Sequence, residues 1–488
     1  MPGISAEYKP NDKSVVELAA KERKDRCDMI DAAWKYYRDG GVRKPLKVRP
    51  GQPDDNIMLP FSSMAIDRLV SFFAPKPPRF KVETGEDETQ NKSDPPEQKA
   101  IDAFLKANEF DHQIVDIALS GFLAGHNFMR LFPPDNLEPM SESNTPRMAL
   151  LDPRKINVFW DVSDIRRVLW YRLTWCVTDD VYRRQDIVPT WLEKRATMAD
   201  QKPDLALGWE IIEYEGKGET VDYKEVSRDH WAFPFAPIYQ WKNKHAPHEF
   251  YGETDLIHAD LNDSINFIAS NTARIIKFHA HPKTIVTGAD SAMLKTTTVD
   301  GIYILPDGST ITNLEMKVGS LSASLDMLNL LSNRFMGQMH VVDISTVKDQ
   351  LGQITNFGVR MLFKDMLDVT TMKRSLYGNG LSQLIQGALI MMGFADAPKP
   401  VDQWDDPLPS DRQAVVNAAA IEQKLGTTST KTLAEDLGRD YDKEQAQKQT
   451  EGASGADQLA GILTNINQRG LGQLPMLGSG NGRPGAFG

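Results

Sequence analysis

Of the nine histidines in the chain, five fall between positions 245 and 281: His245, His248, His258, His279 and His281. The His279-Ala280-His281 spacing is one with which two imidazoles on a single strand can hold a metal ion, the beginning of a metal-dependent hydrolase site. Such a site needs further ligands and a base, yet after His281 only His340 remains, and the alternating strand–helix order of a β/α barrel is missing. Histidines just past the basic end of a long helix more simply cap it, so metal-dependent hydrolysis stands as the alternative expectation. Other chemistries lack their residues. Neither GxxxxGK(S/T) nor GxGxxG stands in a strand–turn–helix setting, and no GxSxG elbow occurs. Cys27 and Cys176 are the only cysteines, too few for a thiolate zinc site or a disulfide framework. The expectation is a protein with no catalytic residue, no metal and no cofactor.

Composition bounds the remaining classes. A chain of 488 residues, 41% hydrophobic and 25% charged, is an ordinary globular sequence of roughly three packed units. The longest apolar runs, such as 389–394 and 302–305, fall far short of a membrane span, and residues 1–24 are too polar for a signal peptide, so a cytosolic chain is expected. The formal charge of −11 argues against a protein that grips nucleic acid, since neutralising phosphates takes clustered Lys and Arg. Solubility is its plainest reading, and it would also suit a surface past which a polyanion slides without sticking.

Periodicity then places the elements. Residues 15–37 and 56–73 read as amphipathic helices, the second ended by Pro75, Pro77 and Pro78; 82–98 reads as an acidic loop. Helices at 97–108 and 111–125 lead to a strand at 128–132, and from 147 to 240 the texture is β-rich, with strands at 156–160, 168–177, 209–214 and 238–241. From 254 to 278 there is no Gly or Pro, and Ile257, Leu261, Ile265, Ile268, Thr272 and Ile275 make one stripe of a single long helix. Glu253, Asp255, Asp260 and Asp263 crowd its start and Arg274 and Lys277 its end, as the macrodipole favours. An insertion, 279–318, holds strand-like 284–286 and 301–305 before a second helix at 321–336. Residues 337–358 have no packing face. Helices follow at 359–376 and 381–392, broken at Gly378-Asn379-Gly380, then a link at 396–409, a small helical unit at 411–441 with a break at Gly426, and a Gly-rich tail expected to be disordered.

Two long helices bracketing a knob, followed by an unpacked loop, make an awkward monomer but a workable ring subunit. At this point the residues resemble the portal, or head-to-tail connector, proteins of tailed bacteriophages. The resemblance rests on Pro237-Ile238-Tyr239 with Asn243, on Tyr251-Gly252-Glu253-Thr254-Asp255-Leu256, on Leu261-Asn262-Asp263-Ser264-Ile265-Asn266, and on Ser270-Asn271. Residues 358–389 are similar to the family's long wing helix. Residues 409–444, with Gly426, Ser429, Thr432, Leu433 and Leu437, are similar to its helical end. Thr355-Asn356-Phe357-Gly358 departs from the small-residue pair that many relatives carry there.

The resemblance implies an α+β portal-like fold assembled as a ring, with an N-terminal arm and helix at 1–55 and a wing at 56–250. The stem helices would be 251–278 and 319–336, with a small α/β clip at 279–318 between them. A tunnel loop at 337–358, a long wing helix and link at 359–404, a crown at 405–451 and the tail at 452–488 would complete it. It further implies a dodecamer at one capsid vertex of the virion, assembled in the host cytoplasm, with no membrane. Partners would be the terminase large subunit, the major capsid and scaffolding proteins, head-completion or adaptor and tail proteins, and double-stranded DNA passing without sequence preference. Another capsid-associated ring or adaptor protein shares this assembly logic. A sliding duplex should meet few cations, because each neutralised phosphate deepens a stall. The candidates are Arg274, Lys277 and Arg334 on the stem; Asp343, Lys348, Asp349, Gln350 and Gln353 in the loop; and Lys283, Lys295 and Lys317 as clip contacts to terminase or adaptor.

Overall fold

The computed structural model describes residues 10–448 except 11, 49, 52–53, 83–94, 135–144, 179–180, 191–207, 218–222, 281–283, 289–294, 298–301, 305–307, 314–317, 343–355, 409–415, 417–418, 420, 424, 427, 437–440 and 442–443. The chain divides into two units, Met1–Pro407 and Leu408–Gly488. No helix among the described residues is long and apolar enough to cross a membrane.

The first unit opens with α1 (Lys13–Asp39), which ends where Gly40 takes φ 70°. Helix α2 (Phe61–Phe73) is shorter than the pattern predicts, beginning only after Pro60 and leaving 56–60 extended. Helices α3 (Pro96–Ala107) and α4 (Phe110–Ala124) then lead into β2 (His126–Phe132). Ahead of them, β1 (Arg79–Lys81) pairs antiparallel with the distant β14 (Val401–Gln403), tying the chain just after α2 to the last residues of the unit.

Two antiparallel sheets form the β-rich region. In the first, β2 lies between β3 (Arg147–Leu151) and β9 (Ile238–Lys242), with Phe128 opposite Leu151 on one side and Gln240 on the other. The second is a five-stranded meander: β4 (Ile156–Asp161), β5 (Asp164–Thr178), β6 (Val181–Pro189), β7 (Trp209–Lys217) and β8 (Lys224–Trp231). One face stacks Trp170 on Phe159 at 4.5 Å and takes Val15 and Ala19 of α1 into the same cluster. The other stacks Trp160 on Phe250 at 4.5 Å. Strands β6 and β8 are absent from the sequence pattern for physical reasons. The middle of β6 is Arg184, Gln185 and Asp186, all buried; the Asp186 carboxylate accepts from Arg172 Nε at 2.7 Å and pairs with Arg184 at 3.1 Å. Strand β8 is exposed along nearly its whole length, so it has no alternation to read.

The long helix expected from 254 is two pieces. A 3₁₀ turn, Asp255–His258, precedes α5 (Asp260–Ala280), and Leu256 within that turn leaves helical geometry at ψ 27°. Ile257 is therefore exposed instead of joining the stripe. The described part of the insertion is two nested antiparallel pairs, β10 (Thr284–Thr287) with β13 (Thr310–Asn313) and β11 (Lys295–Thr297) with β12 (Ile302–Ile304). Helix α6 (Val318–Gln338) returns alongside α5.

Beyond residues 343–355 come α7 (Asn356–Leu362) and α8 (Lys364–Met391). The expected break at Gly378-Asn379-Gly380 does not exist; the interruption is at Phe363. Those glycines are spacers, letting the sheet and β14 approach the helix closely. A methyl group at Gly380 would lie 2.4 Å from the Trp241 ring, and one at Gly387 1.8 Å from Tyr239 Oη. In the second unit α9 (Thr430–Asp436) is introduced by Gly426 at φ 69°, and Ser429 Oγ accepts from Thr432 N.

Alanine normally gains up to about 1 kcal/mol over glycine inside a helix. At Gly380 the sign should reverse, with Gly380→Ala losing about 1–3 kcal/mol to overpacking against Trp241. Denaturant unfolding of the two chains measures it.

Candidate functional site

Helix α5 carries Asn262, Asn266, Ser270 and Arg274, one turn apart on one face. They grip the extended chain that α2 leaves behind. The Arg274 guanidinium meets Asp55 at 2.6 Å; Ser270 Oγ accepts from Ile57 N at 2.9 Å; Asn266 Oδ1 accepts from Leu59 N at 2.8 Å; Asn262 Nδ2 donates to Leu59 O at 3.2 Å. Two residues of extended backbone advance about 6.6 Å and four residues of helix about 6.0 Å, so rungs at 55, 57 and 59 stay in step with 274, 270 and 266. The Asn262 and Asn266 amides also donate to Gly40 O, the carbonyl at the end of α1. Asn262, Asn266 and Ser270 are fully buried. Asp263, one position over, accepts from Tyr36 Oη at 3.0 Å and Val42 N at 3.3 Å. The polar half of this helix is thus a bracket for the chain entering from α1.

At the root of α5 lies a buried charge cluster. Thr254 Oγ1 accepts from Leu256 N and starts the 3₁₀ turn. Asp255 then turns inward, where its Oδ2 receives Lys373 Nζ of α8 and Asn243 Nδ2 at 3.0 Å, and its Oδ1 meets Lys244 Nζ at 3.0 Å. Tyr377 donates to Asn243 Oδ1 at 3.1 Å, and the Lys373 ammonium stands 3.5 Å from the centre of the Phe122 ring. One carboxylate therefore joins the end of β9, the root of α5 and the middle of α8. Just before it, Gly252 lies against the Gly125 carbonyl, where a methyl group would come within 2.3 Å, and Tyr251 Oη accepts from Val158 N at 3.1 Å. Burial pushes Lys373 down to about 8 from its ordinary 10.5, opposed by Asp255. Burial alone would raise Asp255, but the two ammonium groups hold it below the usual carboxylate range.

The α5–α6 hairpin itself is sparsely covered. Phe267 and Ile276 on α5, and Leu325, Met327 and Leu330 on α6, are exposed. Of the expected stem cations, Lys277 and Arg334 are exposed, whereas Arg274 is held by Asp55 and the Lys47 carbonyl. Two residues past the end of α6, His340 takes φ 55° and places Nδ1 2.7 Å from Asp365 Oδ2 on α8. A cleft of about 530 Å³ is bordered by Met64, Asp67 and Phe72 of α2, by Val342, and by Phe363 and Met366.

Asp343, Lys348, Asp349, Gln350 and Gln353 lie outside the described residues, as do Lys283, Lys317 and His281. Lys295 opens β11, opposite Ile304. His279 is in the last turn of α5; His245, His248 and His258 are exposed at separate positions. Among the described residues no group of three or more His, Cys, Asp or Glu could hold a metal ion. Sequence reasoning found Asp255, Asn262, Asn266 and Ser270 as motif positions but not their partners Lys373, Lys244, Tyr377 and Asp55, which come from distant segments. The four-residue polar spacing on α5 is the signal that could have shown the bracket.

Asp255→Asn leaves Lys373 buried without its counter-ion and should cost about 3–5 kcal/mol, with Lys373→Met costing less. The pH dependence has two arms. Asp255, depressed in the folded chain, contributes stability that is lost as pH falls below about 4. The folded chain gives up the Lys373 proton before the unfolded chain does, so stability rises between about pH 8 and 10.5. Thermal unfolding across pH checks both, and Lys373→Met should abolish the alkaline rise.

A family model described as phage portal protein, SPP1 Gp6-like, matches residues 19–458. Among solved structures, a chain of the neck of a native GTA particle computed with C12 symmetry is 11% identical, with 78% of this chain and 90% of that chain covered and a TM-score of 0.41. A chain from the virion of a native gene transfer agent (GTA) particle is 11% identical, with 84% and 99% covered and a TM-score of 0.42. No curated protein matches the sequence.

Proposed function

We propose, for a chain that belongs to the SPP1 Gp6-like phage portal protein family, that it works as a ring whose α5–α6 hairpins wall a channel for double-stranded DNA at one capsid vertex of the virion. The observation that carries this is the hairpin: its root is fixed by a buried ion cluster and a polar bracket, while its sides present exposed Phe267, Ile276, Leu325, Met327 and Leu330. Apolar side chains on a firmly held hairpin find cover in neighbouring copies. Ring size, a dodecamer, rests on the family resemblance.

Within that ring the loop of 343–355 would reach the lumen with Asp343, Lys348, Asp349, Gln350 and Gln353, a mixed set that touches DNA without holding it. Lys277 and Arg334 are the stem cations offered to passing phosphates. Arg274, spent on Asp55, is assigned to holding the stem. The insertion, with Lys283, Lys295 and Lys317, is the docking site for the terminase large subunit and later for head-completion or adaptor proteins. The role is structural, with packaging energy supplied by the partner ATPase. Major capsid and scaffolding proteins would surround the assembled ring, built in the host cytoplasm.

Deleting 284–315 tests the docking assignment. The shortened chain should still form rings but lose pull-down of the terminase large subunit; rings that bind it undiminished would overturn the assignment.

A further inference from the structure

In the second unit, helical turns face one another around a cleft of about 340 Å³. Val416 and Ala419, one turn apart, border it on one side, Leu433 and Ala434 of α9 on another, and Tyr441 on a third. Alanine at two of these places leaves room that a larger side chain would fill. Packed interiors hold few voids larger than a water molecule, so an apolar gap of this size among helices is a place for side chains from another segment.

A segment with the right pattern stands close by in the sequence. Residues 449–488 lie outside the described residues, and within them Leu459, Ile462, Leu463 and Ile466 recur at the i, i+3, i+4 and i+7 spacing of one helix face. Asp457, Gly461, Thr464 and Gln468 fall on the opposite face. Both ends carry signals: Ser454 with Asp457 three positions on forms a capping pair, and Arg469-Gly470 with Pro475 beyond them is a stop. A helix of about fifteen residues with a glycine inside is marginal in water by itself, so its formation depends on burying the apolar face.

We infer that residues 455–469 form a further helix of the second unit and seat Leu459, Ile462, Leu463 and Ile466 in the Val416–Leu433–Tyr441 cleft of their own chain. The occupant is the chain's own segment because the last described helical turns run along the cleft, with Glu444, Gln445 and Lys448 on its border. The link from there, 449–454, falls in the range of about two to eight residues that joins antiparallel neighbours in helical bundles. A tether that short favours its own cleft over one on a second copy or a free partner. Such a contact asks nothing of the ring, since cleft and helix belong to one chain.

Cross-linking in the full-length protein tests it. In a Cys27→Ser, Cys176→Ser background, Ala434→Cys is combined with Ile462→Cys and treated with a short bis-maleimide. An intrachain link, identified by mass spectrometry of the joined peptides, is expected, with a lower yield when Ile421→Cys, outside the cleft, replaces Ala434→Cys. Hydrogen exchange gives a second reading. The amides of 459–468 should exchange at least about tenfold more slowly in the parent chain than in an Ile462→Asp, Leu463→Asp chain, whose changes leave the described helices untouched. Equal exchange in the two chains with no intrachain link overturns the inference. A link formed only between chains overturns it as well, because the occupant would then be a second copy.

Discussion

A carboxylate buried with two ammonium groups is an expensive thing to build, and Asp255 marks where this fold can least tolerate play. The residues just past β9, the turn that launches α5 and Lys373 of α8 come from segments more than a hundred residues apart at the extremes, and the contacts of Asp255 make them one joint. Desolvation opposes it, so its net contribution to stability is small compared with the cost of breaking it. What such a pair supplies is position. A hairpin leaving this joint starts from a defined point beside β9 and α8, and a direction error there would be multiplied along the whole length of α5.

The bracket on α5 fixes that direction. Asn262, Asn266, Ser270 and Arg274 hold the extended chain at 55–59, and through Gly40 the end of α1, so the helix is anchored from Asn262 to Arg274 as well as at its root. Past Arg274 the side chains change character, with exposed Ile276 and Lys277 on α5 and exposed Leu325, Met327 and Leu330 on α6. Glycine does the complementary work at α8. Gly380 and Gly387 bring the Trp241 and Tyr239 rings against the helix backbone, a close approach that a larger residue at either position would block.

Helices whose apolar faces lie on one core were legible from spacing alone: α1, α3, α4 and α6 stand within a few residues of the predicted bounds. Where the pattern failed, a tertiary contact outranked local preference. Residues 56–60 read as helix but are held extended by α5, and Gly378-Asn379-Gly380 reads as a break but runs helical because the neighbouring rings need the missing Cβ atoms. Strand β6 hides behind Arg184 and Asp186, charges that look solvent-facing until Arg172 is placed beside them. The motif residues of the stem could be named from sequence; Lys373 and Asp55 could not, because nothing in a linear chain says which cation faces which anion across such separations.

The hairpin walls and the docking insertion both require that this chain be a subunit of a closed ring, so the native mass of the purified full-length protein, read by mass photometry with negative-stain class averages, is the most direct measurement. Twelve copies of a 54.7 kDa chain give a particle of about 660 kDa with a central hole, the expected result. A stable species of 54.7 kDa at micromolar concentration, with no annular particles, would contradict the account.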